Sequence, residues 1–222
     1  MRGEPSLDAI SALEPDLVVT TTDLPAEVIE QIEAEYPVIA LRGSDATDPI
    51  GKMRSTLEIL GEATGTSEKA AEALADFDAA VADGKAALAE AGADGVAFTM
   101  ADGWLSDGAV SIRMYTPGSF LGGVASELGL TNAWTGEGDP DYGLAQTDVE
   151  GLTALSDVQF VYAASDSEAD PFAEGLAGNA IWEQLPFVVA GDVHRIPDGI
   201  WMFGGPASAN AYVDALVAAL TQ

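Results

Sequence analysis

Arginine and aromatic side chains recur in the loops that follow the predicted strands of this chain. In an open parallel sheet, ligands bind beyond the carboxyl ends of the strands. An arginine there can donate charge-assisted hydrogen bonds, and aromatic rings supply contact area. These residue types favour ligand binding at that edge. The loops concerned are residues 20–23, 42–45, 101–104, 162–165 and 200–203.

Residue types that support catalysis or metal binding are scarce. The chain has no cysteine, which excludes disulfides, thiol nucleophiles and Cys-ligated metal sites. His194 is the only histidine, so neither a Ser–His–Asp site nor a histidine metal cluster is favoured. No dinucleotide, phosphate-loop or nucleophile-elbow motif is present. The acidic stretch 166–170 lacks EF-hand spacing, and we interpret it as a solvated loop. We therefore predict a binding protein with no catalytic residue, no metal site and no cofactor, and not an enzyme.

Apolar periodicity predicts an α/β fold in which strands and helices alternate along a mostly parallel sheet. The central stretch, residues 48–91, contains two helical patterns separated by Gly65, and the second would be roughly 37 Å long. Predicted strands are residues 16–20, 37–41, 95–100, 130–134, 158–162 and 192–196. Predicted helices outside the central stretch are residues 6–13, 23–36, 119–128, 147–155, 181–185 and 208–220.

A short internal repeat indicates two similar lobes. Residues 8–13 and 150–155 share the order acid, small, aliphatic, hydroxyl, Ala, Leu, and an Asp and a strand follow each. We predict a partial N-terminal lobe at 1–47, connecting helices at 48–91 and a C-terminal lobe at 92–222. The alternative is a single α/β domain with an ordinary surface helix and a chance repeat.

Charge excludes several classes of partner. The 222 residues carry 8 Lys+Arg against 37 Asp+Glu, a formal net charge of −29. Nucleic acids and anionic membrane surfaces attract cationic patches, so neither is expected as a partner. No apolar run approaches the ~20 residues of a membrane span, so the chain is not expected to span a membrane.

Five stretches together resemble the substrate-binding proteins of ABC importers for ferric siderophores, heme and cobalamin. They are LDAISALEPDLVV (7–19), YPVIALRGSD (36–45), the central stretch 48–91 with its LGEATG (60–65), SFLGGVASELGLTNAW (119–134) and WEQLPFVVAGDVHRIPDGIWMFGGPASANAYVDAL (182–216). The resemblance implies two Rossmann-like lobes joined by a long helix, an extracytoplasmic location as a periplasmic protein or lipoprotein, and an iron chelate as ligand. In that family a signal peptide and the first strands precede LDAISAL. This chain therefore resembles a form that lacks its N-terminal part.

The resemblance also implies functional residues. It points to a ligand cleft, and to an acid on each lobe, Asp8 and Glu150, that docks onto the permease of the importer. A capping box formed by Thr147 and Glu150 is the rival interpretation of that second acid.

Heme or cobalamin are alternative ligands. An α/β enzyme related in shape to metal chelatases, or a truncated product that pairs through its strand edges, are alternative functions. The expected ligand-binding residues are Arg42, Trp104, Arg113, Tyr115, Tyr162 and Trp201. Trp134 and Tyr142 are secondary candidates.

Overall fold

The computed structural model describes residues 5–106 and 108–222, which fall into two compact units. The first unit is Met1–Gly43 and the second is Ser44–Gln222. Both helices of the central stretch group with the second unit. That the long helix connects two lobes stays a prediction.

The first unit contains two parallel strands, each preceded by a helix. Ser6 caps the first helix by accepting a hydrogen bond from the Ala9 amide at 3.3 Å. The strands pair in register from Val18↔Val38 to Thr21↔Leu41. The elements are α1 (Leu7–Ser11), β1 (Val18–Thr21), α2 (Ala26–Glu33) and β2 (Val38–Leu41).

Local signals define the helices of the second unit. Asp48 caps α3 by accepting from the Gly51 amide at 2.9 Å, and α4 ends at Gly92, whose φ of 74° suits glycine. Within residues 5–106 and 108–222, no helix combines the length and apolarity that crossing a membrane requires. The helices are α3 (Pro49–Ala63), α4 (Ser67–Ala91), α5 (Phe120–Glu127), α6 (Pro186–Ala190) and α7 (Pro206–Leu220), with 3-10 turns at Gly151–Ala154 and Trp182–Gln184.

A mostly parallel sheet forms the centre of the second unit, as the α/β prediction requires. Its strands are β3 (Ala97–Ser106), β4 (Ala109–Tyr115), β5 (Thr131–Asn132), β6 (Leu144–Thr147), β7 (Gln159–Ala163) and β8 (Val193–Ile196). Their order in the sheet is β6-β4-β3-β7-β8, and β5 pairs with the start of β3. Among the described strands of this sheet, β4 alone runs against the others.

Each face of this sheet has its own apolar core. On one face, Met100, Tyr115 and Val161 pack with residues of α3, α4, α5 and α7. On the other face, Met114, Phe160 and Tyr162 pack with the residues around the 3-10 turns and α6. Because side chains alternate between faces along a strand, the register of β3 and β4 decides which core each residue joins.

The structure corrects several predicted elements. Residues 101–104, predicted as a loop, continue β3, because β4 pairs with them and satisfies their backbone groups. The helix predicted at 147–155 is only the 3-10 turn at Gly151–Ala154, since Thr147 ends β6. Strands β4 and β6 and helix α6 were not predicted. Strand β6 and helix α6 are too short to show a strong periodic pattern, whereas β4 does alternate apolar and polar residues.

The burial of α4 side chains in the first core makes Phe77 a test of this core. Its side chain is fully buried among residues of the first face. We expect Phe77→Ala to lower the free energy of unfolding by about 3–5 kcal/mol, through lost apolar burial and a residual cavity. Urea denaturation measures this. Asp76→Ala, at the exposed neighbouring position, is the control and should have little effect. A loss for Phe77→Ala no larger than for the control would contradict this packing.

Candidate functional site

One face of β3 changes from apolar to polar along the strand. Phe98 and Met100 point into the first core, and the next residues on that face are Asp102 and Trp104. The antiparallel register places Arg113 of β4 opposite Asp102, and Tyr115 opposite Met100. The core of this face therefore ends at a pair of opposite charges.

Asp102 and Arg113 form a two-point ion pair. Arg113 Nε donates to Asp102 Oδ1 at 2.9 Å, and Arg113 Nη2 donates to Oδ2. The Tyr115 hydroxyl donates to Oδ2 of the same carboxylate at 3.1 Å and lies 2.9 Å from Met202 Sδ. The Arg113 side chain is 30% exposed and that of Asp102 only 11%, so the arginine faces outward over a buried carboxylate.

The environment stabilises the charge on Arg113 and the neutral form of Tyr115. Burial works against the arginine charge, but the hydrogen bond and charge of Asp102 raise its pKa above the ordinary value. Burial, together with the nearby Asp102 carboxylate, raises the pKa of Tyr115 far above its usual range. The site thus holds a charged arginine paired with Asp102, beside a neutral tyrosine hydroxyl.

Aromatic rings surround the guanidinium. Its central carbon lies 6.0 Å from the Trp104 ring centroid, 5.6 Å from that of Tyr115 and 5.5 Å from that of Phe203. Phe203 also meets Trp201 edge-on at 5.3 Å and Tyr142 at 5.8 Å. Trp104 and Trp201 are 40% and 53% exposed, so large apolar rings face outward here. We call Trp104, Arg113, Tyr142, Trp201 and Phe203 the arginine–aromatic cluster.

A carboxylate holds the loop that carries Tyr142. Asp139 accepts hydrogen bonds from the backbone amides of Asp141 at 3.0 Å, Tyr142 at 2.7 Å and Leu144 at 2.9 Å. Burial alone would raise the pKa of this carboxyl, but these backbone donors lower it below the ordinary value. The Tyr142 ring is therefore positioned by a short, strongly bonded turn.

This arrangement suits the binding of a bulky, flat-faced molecule. Exposed rings give contact area, and Arg113 uses only two of its five N–H donors on Asp102. Across the described residues, no group of three or more His, Asp or Glu side chains is arranged to hold a metal ion.

The structure brings together four of the six predicted ligand-binding residues: Trp104, Arg113, Tyr115 and Trp201. Tyr142, a secondary candidate, joins them. Tyr162 lies on the opposite face of the sheet, buried, with its hydroxyl donating to Asp170 at 3.1 Å. Arg42 is exposed just after β2 in the first unit. Trp134, the other secondary candidate, packs against the second core.

Sequence reasoning missed Asp102, Met202 and Phe203. A signal for Asp102 was present, because Asp107-Gly108 between two alternating runs is typical of a hairpin. That hairpin would have placed Asp102 opposite Arg113. Phe203 lies within the loop 200–203, but Trp201 is the residue of that loop that was predicted to bind the ligand.

The two predicted docking acids lie on the surface. Asp8 is exposed on α1, and Glu150 is exposed immediately before the 3-10 turn at Gly151–Ala154. The capping contact at that turn comes from Asp148, which accepts from the Gly151 amide at 3.1 Å. The docking role of both acids stays a prediction.

Comparison with known proteins identifies the family. The model of the periplasmic binding protein family matches residues 1–199. The chain belongs to this family. Among its relatives are the iron(3+)-hydroxamate-binding protein FhuD of Escherichia coli and the probable siderophore-binding lipoprotein YfiY of Bacillus subtilis, each 24% identical. The matches cover 97% and 95% of this chain, and 70% and 64% of those proteins.

Solved structures of siderophore-binding proteins share this fold over nearly the whole chain. FhuD from Vibrio cholerae, solved with Fe3+-Desferal, matches with a TM-score of 0.81 at 23% identity over 99% of this chain and 79% of that one. The triscatecholate siderophore-binding protein FeuA of Bacillus subtilis, solved with ferri-bacillibactin, matches with a TM-score of 0.74 at 19% identity over 99% and 75%. The α/β fold is thus that of siderophore-binding proteins.

The Asp139 turn yields a pH-dependent prediction. Asp139→Asn keeps one acceptor oxygen but loses the charge, so we expect it to lower the free energy of unfolding at pH 7 by about 1–3 kcal/mol. The folded-state pKa of Asp139 is depressed. Its stabilisation is therefore present above the unfolded-state pKa and lost as the pH falls through the folded-state value.

Denaturant unfolding of both proteins at pH 7 and near pH 3 measures this. The stability difference should shrink at the lower pH. A difference that is the same at both pH values would contradict the role of the charge. Glu137→Gln, at an exposed position of the same loop, controls for the change in net charge.

Proposed function

We propose that this protein captures a ferric siderophore at the arginine–aromatic cluster and delivers it to an ABC importer outside the cytoplasm. The observation that carries the proposal is the cluster itself: outward-facing rings around a fixed guanidinium in a chain of the periplasmic binding protein family. Such rings offer a rigid apolar surface to the organic shell of a chelate, at low cost in side-chain entropy.

The relatives support an iron chelate as the ligand class. Their names refer to hydroxamate, citrate, achromobactin and enterobactin complexes, and one solved relative contains Fe3+-Desferal. These ligands differ in chemistry but share a bulky ferric core. Within the cluster we propose Trp104, Arg113 and Trp201 as ligand contacts, with Tyr115 supporting Arg113 through Asp102. The ligand contacts expected of Arg42, in the first unit, and of Tyr162, on the opposite face of the sheet, stay separate predictions.

Delivery to an importer is supported by the two surface acids. Asp8 and Glu150 precede a strand in the two halves of the chain, and both are exposed. Exposed carboxylates are suited to arginines of a partner, where complementary charge steers association and sets orientation. We propose that these acids dock onto the permease.

Ligand binding is tested by fluorescence titration of the full chain. Ferric tris-hydroxamate, ferric tris-catecholate, ferric citrate, heme and cobalamin are added in turn. We expect saturable quenching of tryptophan emission by a ferric siderophore, since Trp104 and Trp201 lie at the site. Trp201→Ala and Phe203→Ala should each weaken binding roughly tenfold or more.

Val189→Ala is the matched control, because Val189 is an exposed apolar residue on α6. It should bind like the wild type. Quenching by heme or cobalamin alone would replace the siderophore with that ligand, and no response to any of the five would contradict the proposal.

Docking is tested by uptake of radiolabelled iron chelate in cells that carry the cognate importer. Asp8→Ala and Glu150→Ala should bind ligand normally but lower uptake, most strongly in the double variant, because the permease arginines lose their partners. Glu168→Ala, another exposed acid, is the control. Normal uptake by the double variant would rule out this docking role.

A further inference from the structure

Asp102 influences which iron chelates the arginine–aromatic cluster can bind, and this inference rests on the proposed function. We propose that Asp102 is a specificity-determining residue: by neutralising Arg113, it makes the arginine–aromatic cluster select ferric complexes without negative charge, such as ferric tris-hydroxamates, over trianionic ferric tris-catecholates. The two kinds of ferric complex differ in net charge. Three hydroxamates balance the charge of Fe3+, whereas three catecholates, each doubly charged, leave three negative charges.

The first argument is the geometry of the pair. The carboxylate binds both Nε and Nη2 of the guanidinium and is itself buried beneath it. The pair is therefore electrically neutral towards a ligand, although Arg113 keeps unused N–H donors for neutral oxygen acceptors. A hydroxamate complex offers such oxygens without requiring a counter-charge.

The second argument is the pairing of the arginines in this unit. All three arginines of Ser44–Gln222 are paired with aspartates: Arg54 with Asp78, Arg113 with Asp102, and Arg195 with Asp166 and Asp170. The Asp139 carboxylate adds further negative charge at the turn that carries Tyr142. The chain as a whole carries −29, so a trianion meets repulsion both locally and at long range.

The third argument comes from the rings. Trp104, Tyr115 and Phe203 all lie within 6.0 Å of the guanidinium carbon. Their faces carry negative partial charge, which favours a cation and disfavours an anion. The cluster therefore presents an aromatic surface suited to an uncharged or cationic complex.

The test measures a selectivity ratio, the affinity for ferric tris-hydroxamate divided by that for ferric tris-catecholate. The wild type should prefer the tris-hydroxamate by roughly tenfold or more. Asp102→Asn uncovers the charge of Arg113, so we expect the ratio to fall by roughly tenfold. Asp78→Asn is the matched control, since it makes the same charge change beside another arginine, and the ratio should stay at the wild-type value.

A second variant keeps the test decisive if Asp102→Asn does not fold. The double change Asp102→Asn with Arg113→Gln removes both charges together, so it should retain a preference for the tris-hydroxamate. Equal or tighter binding of the tris-catecholate by the wild type would overturn the proposal, as would an unchanged ratio in folded Asp102→Asn, or a preference of the double variant for the tris-catecholate. If folded wild-type protein binds neither complex, this specificity proposal fails, whereas the proposed function fails only when none of the five ligands of the fluorescence titration binds.

Discussion

The antiparallel pairing of β3 with β4 is the constraint on which the site depends. It inserts one reversed strand into a parallel sheet and places Asp102 opposite Arg113 and Tyr115 opposite Met100. A slip of one residue would move Asp102 and Trp104 to the other face of the sheet. The register therefore determines where the first core ends. It also determines where the ion pair between Asp102 and Arg113 lies.

The two faces of the sheet explain why residues of the same type have different roles. Tyr115 and Tyr162 both have buried hydroxyls that donate to a carboxylate, Asp102 in one case and Asp170 in the other. Only the first carboxylate also binds an arginine surrounded by outward-facing rings. Asp170 pairs with Arg195 at 3.5 Å and accepts from the backbone amides of Phe172 and Ala173 at 2.9 and 2.8 Å, so it organises its own loop. The difference comes from what packs on each face rather than from the residues themselves.

Charge pairing is the other feature that joins fold and function. In a chain this acidic, a lone arginine would be expected to attract anions, yet Arg113 is matched by a buried carboxylate and enclosed by rings. Its guanidinium can thus orient a ligand through hydrogen bonds and stacking while adding little net charge. Arg113 therefore keeps its capacity to donate hydrogen bonds, while its pairing with Asp102 reduces its electrostatic attraction for anions.

Local patterns in the sequence determined the strand–helix alternation, the two central helices and the residue types of a binding site. These follow from periodicity, caps and composition, which act over a few residues. The tertiary structure alone decided that Trp104, Arg113, Trp201 and Phe203 meet, and that Tyr162 lies on the opposite face. The physical reason is that strand register and the pairing of β4 are set by contacts between distant segments, and single residues such as Asp102 acquire their role only when those segments pair.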